Sequence, residues 1–236
     1  MISYEEFCDN CRRLLERVEN ACASCGRNSG DVKILPVTKT HPIDAPEYAA
    51  RFGFASVGEN RVQELSEKRK SERGNALKIN WELIGHLQSN KAKHAVELAD
   101  RIQSVDSAKL LKKIDAEAAA LGKTMRILLE INAGNDPAKF GAALDEAPEL
   151  LGAALELKNV KVEGLMTIAP LDSNLDTASR CFENLRNLRD DLQKQFAAPL
   201  PELSMGMSGD LERAIKAGST LIRVGTFLFG ARDYSL

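Results

Sequence analysis

Short apolar runs alternate with longer amphipathic segments along most of the chain. Eight runs are predicted strands, at residues 32–39, 54–60, 80–85, 101–106, 125–133, 160–170, 202–208 and 221–230. The segments between them have helical spacing of apolar positions and are predicted helices, at residues 45–52, 61–73, 90–99, 108–121, 144–157, 177–195 and 210–217. Strands that alternate with helices form a parallel sheet covered by helices, and eight such units predict a closed (β/α)8 barrel of the TIM type. A six-stranded doubly wound sheet is the alternative.

The segment before the first predicted strand has the pattern of a single helix. Tyr4 and four of the five cysteines recur at spacings of three and four residues or their sums, which places them on one helix face. The same four, Cys8, Cys11, Cys22 and Cys25, form two C-x-x-C pairs, a spacing also found in zinc sites. On one helix the two pairs lie about 21 Å apart, too far to share an ion. We therefore predict a buried helix face within residues 1–26, packed on the barrel of a single domain that spans residues 1–236.

The charge balance narrows the classes of function. Thirty-two basic residues against 34 acidic ones give a formal net charge of −2, so the chain as a whole does not attract nucleic acid or anionic lipid. No apolar run approaches the ~20 residues of a transmembrane helix, and the first residues lack the basic and apolar regions of a secretion signal. We expect a cytoplasmic protein, which the odd number of cysteines also fits. A monomer is expected, although the helix faces of a barrel can also pair.

The functional residues of such a barrel are expected where the carboxyl ends of the strands converge. Lys39 ends the first predicted strand, which contains the apolar run Ile34-Leu35-Pro36-Val37, so its amine would point into the barrel mouth. Burial and nearby cations lower the pKa of a lysine and leave a fraction of neutral amine that can condense with an aldehyde. A lysine at a strand end can also extend its ammonium group into solvent, and this feature alone does not distinguish the two arrangements.

The last two predicted strands end in glycines and hydroxyl side chains. The block from Ser204 to Ser208 precedes a predicted helix, and Arg223, Gly225 and Thr226 belong to the eighth run. Loops after strands seven and eight often form the phosphate site of a barrel, with backbone N–H groups and hydroxyls as donors. Glycine and serine are equally common in plain turns. An aldehyde-reactive lysine beside a phosphate site nevertheless matches pyridoxal 5′-phosphate (PLP).

Several motifs together resemble the YggS/PROSC family of PLP homeostasis proteins. They are Val37-Thr38-Lys39-Thr40, Gly58-Glu59-Asn60, the block Ile84 to Lys91, Gly164-Leu165-Met166, the block Ser204 to Ser208, and Arg223-Val224-Gly225-Thr226. The resemblance covers essentially the whole chain and implies one barrel of the alanine racemase N-terminal type with an additional N-terminal helix. It implies a Schiff base between PLP and Lys39. The further site residues it implies are Ser204, Ser208, Gly225 and Thr226 at the phosphate, Arg223 at the pyridine nitrogen, and Asn60, His86 and Met166 in the ring pocket.

Two positions bear on whether the cofactor would be used for catalysis. Because an arginine cannot accept a proton, Arg223 beside the pyridine nitrogen would keep that nitrogen unprotonated and weaken the ring as an electron sink. A salt bridge from Arg223 to Asp210 or Glu212 is the structural alternative. The other position is Glu82, which follows Trp81 where many family members have a histidine, so any role of that histidine is in doubt here.

The favoured function is that of a protein that holds PLP reversibly and passes it to PLP-dependent apoenzymes without turnover. Racemases of the related fold add a tyrosine from a second domain as the other acid/base. The tyrosines of this chain are Tyr4, Tyr48 and Tyr234, and the first two lie in predicted helices away from the strand ends. A racemase-like enzyme is the alternative, with His86 or Lys139 as the second base. A Schiff-base aldolase acting on a sugar phosphate is a third hypothesis. The sequence does not identify the apoenzymes or amino acids.

Overall fold

The strands of the computed structural model, which describes residues 1–170 and 175–230, follow the predicted order. They are β1 Lys33–Pro36, β2 Ser56–Glu59, β3 Asn80–Leu83, β4 Arg101–Val105, β5 Met125–Glu130, β6 Val160–Met166, β7 Glu202–Ser204 and β8 Leu221–Val224. All the strand pairs are parallel, and β1 pairs with β8. A bridge between Val37 and Gly58 connects the ends of β1 and β2 and completes the ring. The predicted (β/α)8 barrel is confirmed, and the doubly wound sheet is wrong.

Helices cover the outside of the barrel. They are α1 Tyr4–Ser24, α2 Asp44–Phe52, α3 Val62–Lys70, α4 Glu72–Ala76, α5 Ala92–Leu98, α6 Ala108–Ala120, α7 Ala147–Leu155, α8 Leu175–Phe196, α9 Leu211–Lys216 and α10 Thr226–Phe229. The helix predicted over 61–73 is interrupted at Ser71, whose hydroxyl accepts from Gly74 N–H at 3.0 Å and caps a new helix. The eighth predicted strand is too long, because residues 226–229 form α10. Among the helices of the described residues, none combines the length and apolar character needed to cross a bilayer.

The N-terminal helix α1 packs on the barrel beside α9 and α10. The hydroxyl of Ser3 accepts from Glu6 N–H at 3.2 Å and caps its start. Cys11 and Cys22 are buried in its face, while Cys8 and Cys25 are partly buried. The cysteine-bearing face of α1 is therefore packed against the barrel, as its spacing predicts.

Polar side chains connect opposite walls inside the barrel. Arg101 on β4 donates to Glu82 on β3 (2.8 Å) and to Glu202 on β7 (2.7 Å). Because β4 and β7 are not neighbours in the sheet, the bond to Glu202 crosses the barrel interior. The amide nitrogen of Gln103 donates to Glu82 (2.6 Å), and its oxygen accepts from the Ser204 hydroxyl (2.6 Å). Glu82 thus anchors a buried polar network that extends to Ser204 at the end of β7.

Candidate functional site

A cavity of about 220 Å³ lies at the carboxyl ends of β1 and β8. Its lining residues combine an amine, a guanidinium, an amide, two hydroxyls and several apolar side chains, and are Val37, Lys39, Asn60, Ile84, Ile168, Met207, Ser208, Gly209, Arg223, Gly225 and Thr226. Six of the nine sequence-predicted site residues thus line one cavity. They come from β8 and from the loops after β1, β2, β7 and β8, whose carboxyl ends meet at this mouth as the strand order requires.

The charged centre of this site is the buried side chain of Arg223. Its two terminal nitrogens donate to the Ser204 hydroxyl (2.7 Å) and to the Thr167 carbonyl (2.8 Å). Burial lowers the pKa of Arg223 to about 10, while Glu130 and Asp210 oppose that shift. The guanidinium is therefore still protonated at neutral pH, and it can donate but not accept a hydrogen bond.

The predicted structural alternative, an ion pair from Arg223 to Asp210 or Glu212, is not formed within the described part of the chain. Glu212 instead pairs with Arg17 on α1 at 2.6 Å. The carboxylate of Asp210 accepts from Met207 N–H at 2.5 Å and so closes the loop after β7. Burial raises the pKa of Asp210, and this hydrogen bond together with the charge of Arg223 partly offsets the rise.

Ser204, a predicted phosphate residue, is not among the residues that line the cavity; it is fully buried beneath Arg223. One oxygen of Glu82 accepts from both Arg101 and Gln103, so the Gln103 amide nitrogen points toward Glu82. The Gln103 oxygen then faces Ser204, whose hydroxyl donates to it and has its lone pairs left for Arg223. The structure thus places Ser204 as the link that orients Arg223.

The other two predicted residues also lie apart from the cavity wall. Met166 is buried at the end of β6. The His86 ring stacks on Phe140 with centroids 3.7 Å apart, and its Nδ1 lies 3.4 Å from an Asp106 oxygen. His86 therefore belongs to a part of the barrel mouth formed by the loops after β3, β4 and β5.

Sequence reasoning missed a buried carboxyl group, Glu130 at the end of β5. Its Oε2 has no hydrogen-bond partner among the residues that the structure describes. Burial, reinforced by Asp106, raises the pKa of Glu130 to about 7, with Arg223 opposing the shift. Its only sequence signal was an acidic residue closing an apolar run, and this pattern is equally typical of a solvated strand end.

Comparison with known proteins agrees with this geometry. The sequence model of the alanine racemase N-terminal domain matches residues 10–233. A pyridoxal phosphate homeostasis protein of Aquifex aeolicus is 40% identical over 227 residues, which cover 96% of this chain and 99% of that protein. A protein of the same name from Synechocystis is 42% identical over 201 residues, 85% of this chain and 92% of its own. The chain therefore belongs to the alanine racemase N-terminal domain family and, within it, to the pyridoxal phosphate homeostasis proteins.

Solved structures support the same assignment of fold. PipY of Synechococcus elongatus with PLP bound superposes with a TM-score of 0.79 at 36% identity, covering 90% of this chain and all (100%) of that one. Alanine racemase of Clostridium difficile superposes with a TM-score of 0.78 at 16% identity, covering 96% of this chain and 58% of the racemase. At that identity the racemase shows a shared barrel and nothing about activity.

Proposed function

We propose that this protein holds PLP as a Schiff base on Lys39 and serves intracellular PLP homeostasis as a carrier without turnover. The observation that supports the proposal best is the cavity itself, where the amine of Lys39 shares a wall with Arg223 and with hydroxyl and glycine residues of the last two loops. The same ligand is supported by two relatives, the pyridoxal phosphate homeostasis protein of Aquifex aeolicus and PipY with PLP bound.

The donor set fits this cofactor by its chemistry. PLP supplies an aldehyde, to whose carbon an amine adds with loss of one water. In the proposed site Lys39 provides the amine, Ser208 and Thr226 provide hydroxyls for the phosphate, and Gly225 brings the backbone close to it. Arg223 donates to the pyridine nitrogen, and Asn60 adds an amide beside apolar side chains that suit a ring. His86 and Met166 stay predictions as ring-pocket residues.

Carriage is favoured over catalysis by the groups around the site. Arg223 is protonated and donor-only, so it would leave the ring nitrogen unprotonated and the ring a weak electron sink. Tyr4 and Tyr48 pack against each other in α1 and α2, and Tyr234 lies outside the described residues. The same proposal includes a cytoplasmic monomer of one barrel domain that passes PLP to apoenzymes.

The test is an absorbance titration with PLP followed by borohydride reduction and peptide mass mapping. We expect a visible band and a reduced adduct on Lys39, absent in Lys39→Ala and retained in Lys93→Ala, a control at an exposed lysine of α5. A panel of amino acids is then assayed for racemisation, and no turnover is expected. Turnover that Lys39→Ala abolishes would overturn the carrier role. No adduct in the wild-type protein, or an adduct on another lysine alone, would overturn the site.

A further inference from the structure

Side chains from β2 and α3 hold the backbone on both sides of Lys39. On one side, the Thr38 carbonyl accepts from the Lys68 ammonium (2.7 Å), and the Thr38 hydroxyl donates to Glu59 (2.5 Å). On the other side, the Thr40 N–H donates to a carboxylate oxygen of Glu64 (2.7 Å). The residues that flank Lys39 are therefore both fixed by side chains that reach in from neighbouring elements.

The first of these supporting contacts is a buried ion pair. The Lys68 and Glu59 side chains are 10% and 0% exposed, and Lys68 Nζ lies 2.6 Å from Glu59 Oε1. Buried charges are costly to leave without a partner, so each group requires the other to stay in place. The pair consequently gives the Thr38 backbone a rigid support and does not act as an adjustable surface contact.

The second supporting contact, from Thr40 N–H to Glu64, stabilises an unfavourable backbone conformation. Thr40 has φ of 65°, in the left-handed region that β-branched residues rarely adopt. A residue keeps such a conformation only where its surroundings enforce it. Two hydrogen bonds support it: Thr40 N–H donates to Glu64 (2.7 Å), and His41 N–H donates to the Thr38 carbonyl (3.1 Å) and closes the turn around Thr40.

The Thr40 conformation affects the direction of the Lys39 side chain because residues 39 and 40 lie between two cavities. Lys39 lines the cavity of about 220 Å³ that contains Arg223. Thr40, Glu64 and Lys68 line a separate, larger cavity of about 850 Å³ on the α3 side. If the backbone at Thr40 relaxed to an extended conformation, the segment would turn and change the side to which Lys39 points.

We propose that Glu64, assisted by the Lys68–Glu59 pair, is a positioning residue that keeps the Lys39 amine directed at the cavity of Arg223. The inference rests on the proposed function, in which Lys39 condenses with the aldehyde, forming a C=N bond and releasing water. It predicts that loss of the Glu64 carboxylate weakens the covalent step and leaves phosphate binding by the loops after β7 and β8 unchanged.

The test compares two ligands on the full chain. PLP has the aldehyde, whereas pyridoxine 5′-phosphate has an alcohol in its place and cannot condense with Lys39. For Glu64→Ala we expect PLP affinity to fall about tenfold, the scale of the penalty for a left-handed L-residue without support, and pyridoxine 5′-phosphate affinity to change less than about twofold. Glu64→Gln keeps an oxygen that accepts from Thr40 N–H and should bind PLP like the wild type.

Two further variants make the result specific. Glu67→Ala removes a carboxylate of α3 that lines the same larger cavity, and it should bind both ligands like the wild type. Thr40→Gly in the Glu64→Ala background should recover most of the PLP affinity, because glycine adopts a positive φ without steric cost.

Equal losses for both ligands in Glu64→Ala, or wild-type PLP affinity in that variant, would overturn the inference. If Glu64→Ala does not fold, failure of Glu64→Gln to bind PLP like the wild type would overturn it. Absence of a borohydride-trapped adduct on Lys39 in the wild-type protein would overturn the proposed function, and the inference with it. The two failures are therefore distinguishable.

Discussion

Replacing Ser204 by alanine separates two roles for this hydroxyl, that of a phosphate ligand and that of a support for Arg223. Ser204 is fully buried, donates to Gln103 at 2.6 Å and accepts from Arg223 at 2.7 Å. Removing Oγ leaves the Gln103 oxygen and one N–H of the Arg223 guanidinium without their partner. The substitution should therefore destabilise the protein even when no ligand is added.

The size of the effect follows from these two groups. A buried polar group left unpaired costs about 1–3 kcal/mol, and a charged one costs more. The two groups together give a loss of roughly 3 kcal/mol in the free energy of unfolding. In a protein of this length each kcal/mol lowers Tm by about 2–4 °C, so Ser204→Ala should lower Tm by roughly 6–12 °C.

Urea denaturation and thermal melting without ligand measure this loss, and titration with inorganic phosphate measures the other role. Ser208→Ala is the matched control, because Ser208 lines the cavity. It should change stability by less than about 0.5 kcal/mol, as surface substitutions usually do, and weaken phosphate binding. Unchanged stability of Ser204→Ala together with weakened phosphate binding would refute the support role and make Ser204 a ligand.

Three other predictions concern buried groups. Burial raises the pKa of Glu130 to about 7, so the protonated group stabilises the fold fully below the ordinary carboxyl pKa of 4.5, and this stabilisation is lost as pH rises through 7. Between pH 5 and pH 8 the free energy of unfolding of the wild type, measured by urea denaturation, should fall by up to roughly 3 kcal/mol relative to that of Glu130→Gln. Glu82→Leu should lower the free energy of unfolding by roughly 3 kcal/mol, because it leaves donors of Arg101 and of the Gln103 amide without an acceptor while Arg101 keeps Glu202 as a charge partner; no measurable loss would contradict the interior network. Gly85→Ala should prevent folding or greatly lower Tm, because its Cβ would lie 2.2 Å from the Asn60 carbonyl oxygen; a wild-type Tm would contradict this packing.

The barrel could be predicted because its signal is local and repeated. Each βα unit shows its own apolar run and its own amphipathic segment, so an error in one boundary does not change the fold class. The wrong strand prediction at residues 226–229 shows where apolar spacing alone fails. An apolar segment of that length fits a strand and a short helix equally well, and only its place after β8 decides between them.

The proximity of Lys39 to residues of the last two loops could be predicted because the carboxyl ends of parallel strands meet at one edge. Their supports could not, because those contacts join distant parts of the chain. Gln103 and Ser204 are 101 positions apart, and their hydrogen bond depends on the registers of two strands across the barrel. Glu64 contacts Thr40 only because α3 packs against the loop after β1, and the charge pattern of its helix indicates an exposed surface.

A carrier requires a site that is already arranged before its ligand arrives and that releases the ligand unchanged. The terminal nitrogens of Arg223 are fixed by Ser204 and by a main-chain carbonyl, so the guanidinium need not reorganise on binding. Its positive charge keeps the proposed partner nitrogen unprotonated, which weakens the ring for carbanion chemistry but does not affect a C=N bond that water can hydrolyse. In the proposed carrier, this buried arginine would therefore disfavour carbanion chemistry and leave the reversible covalent bond to Lys39 unaffected.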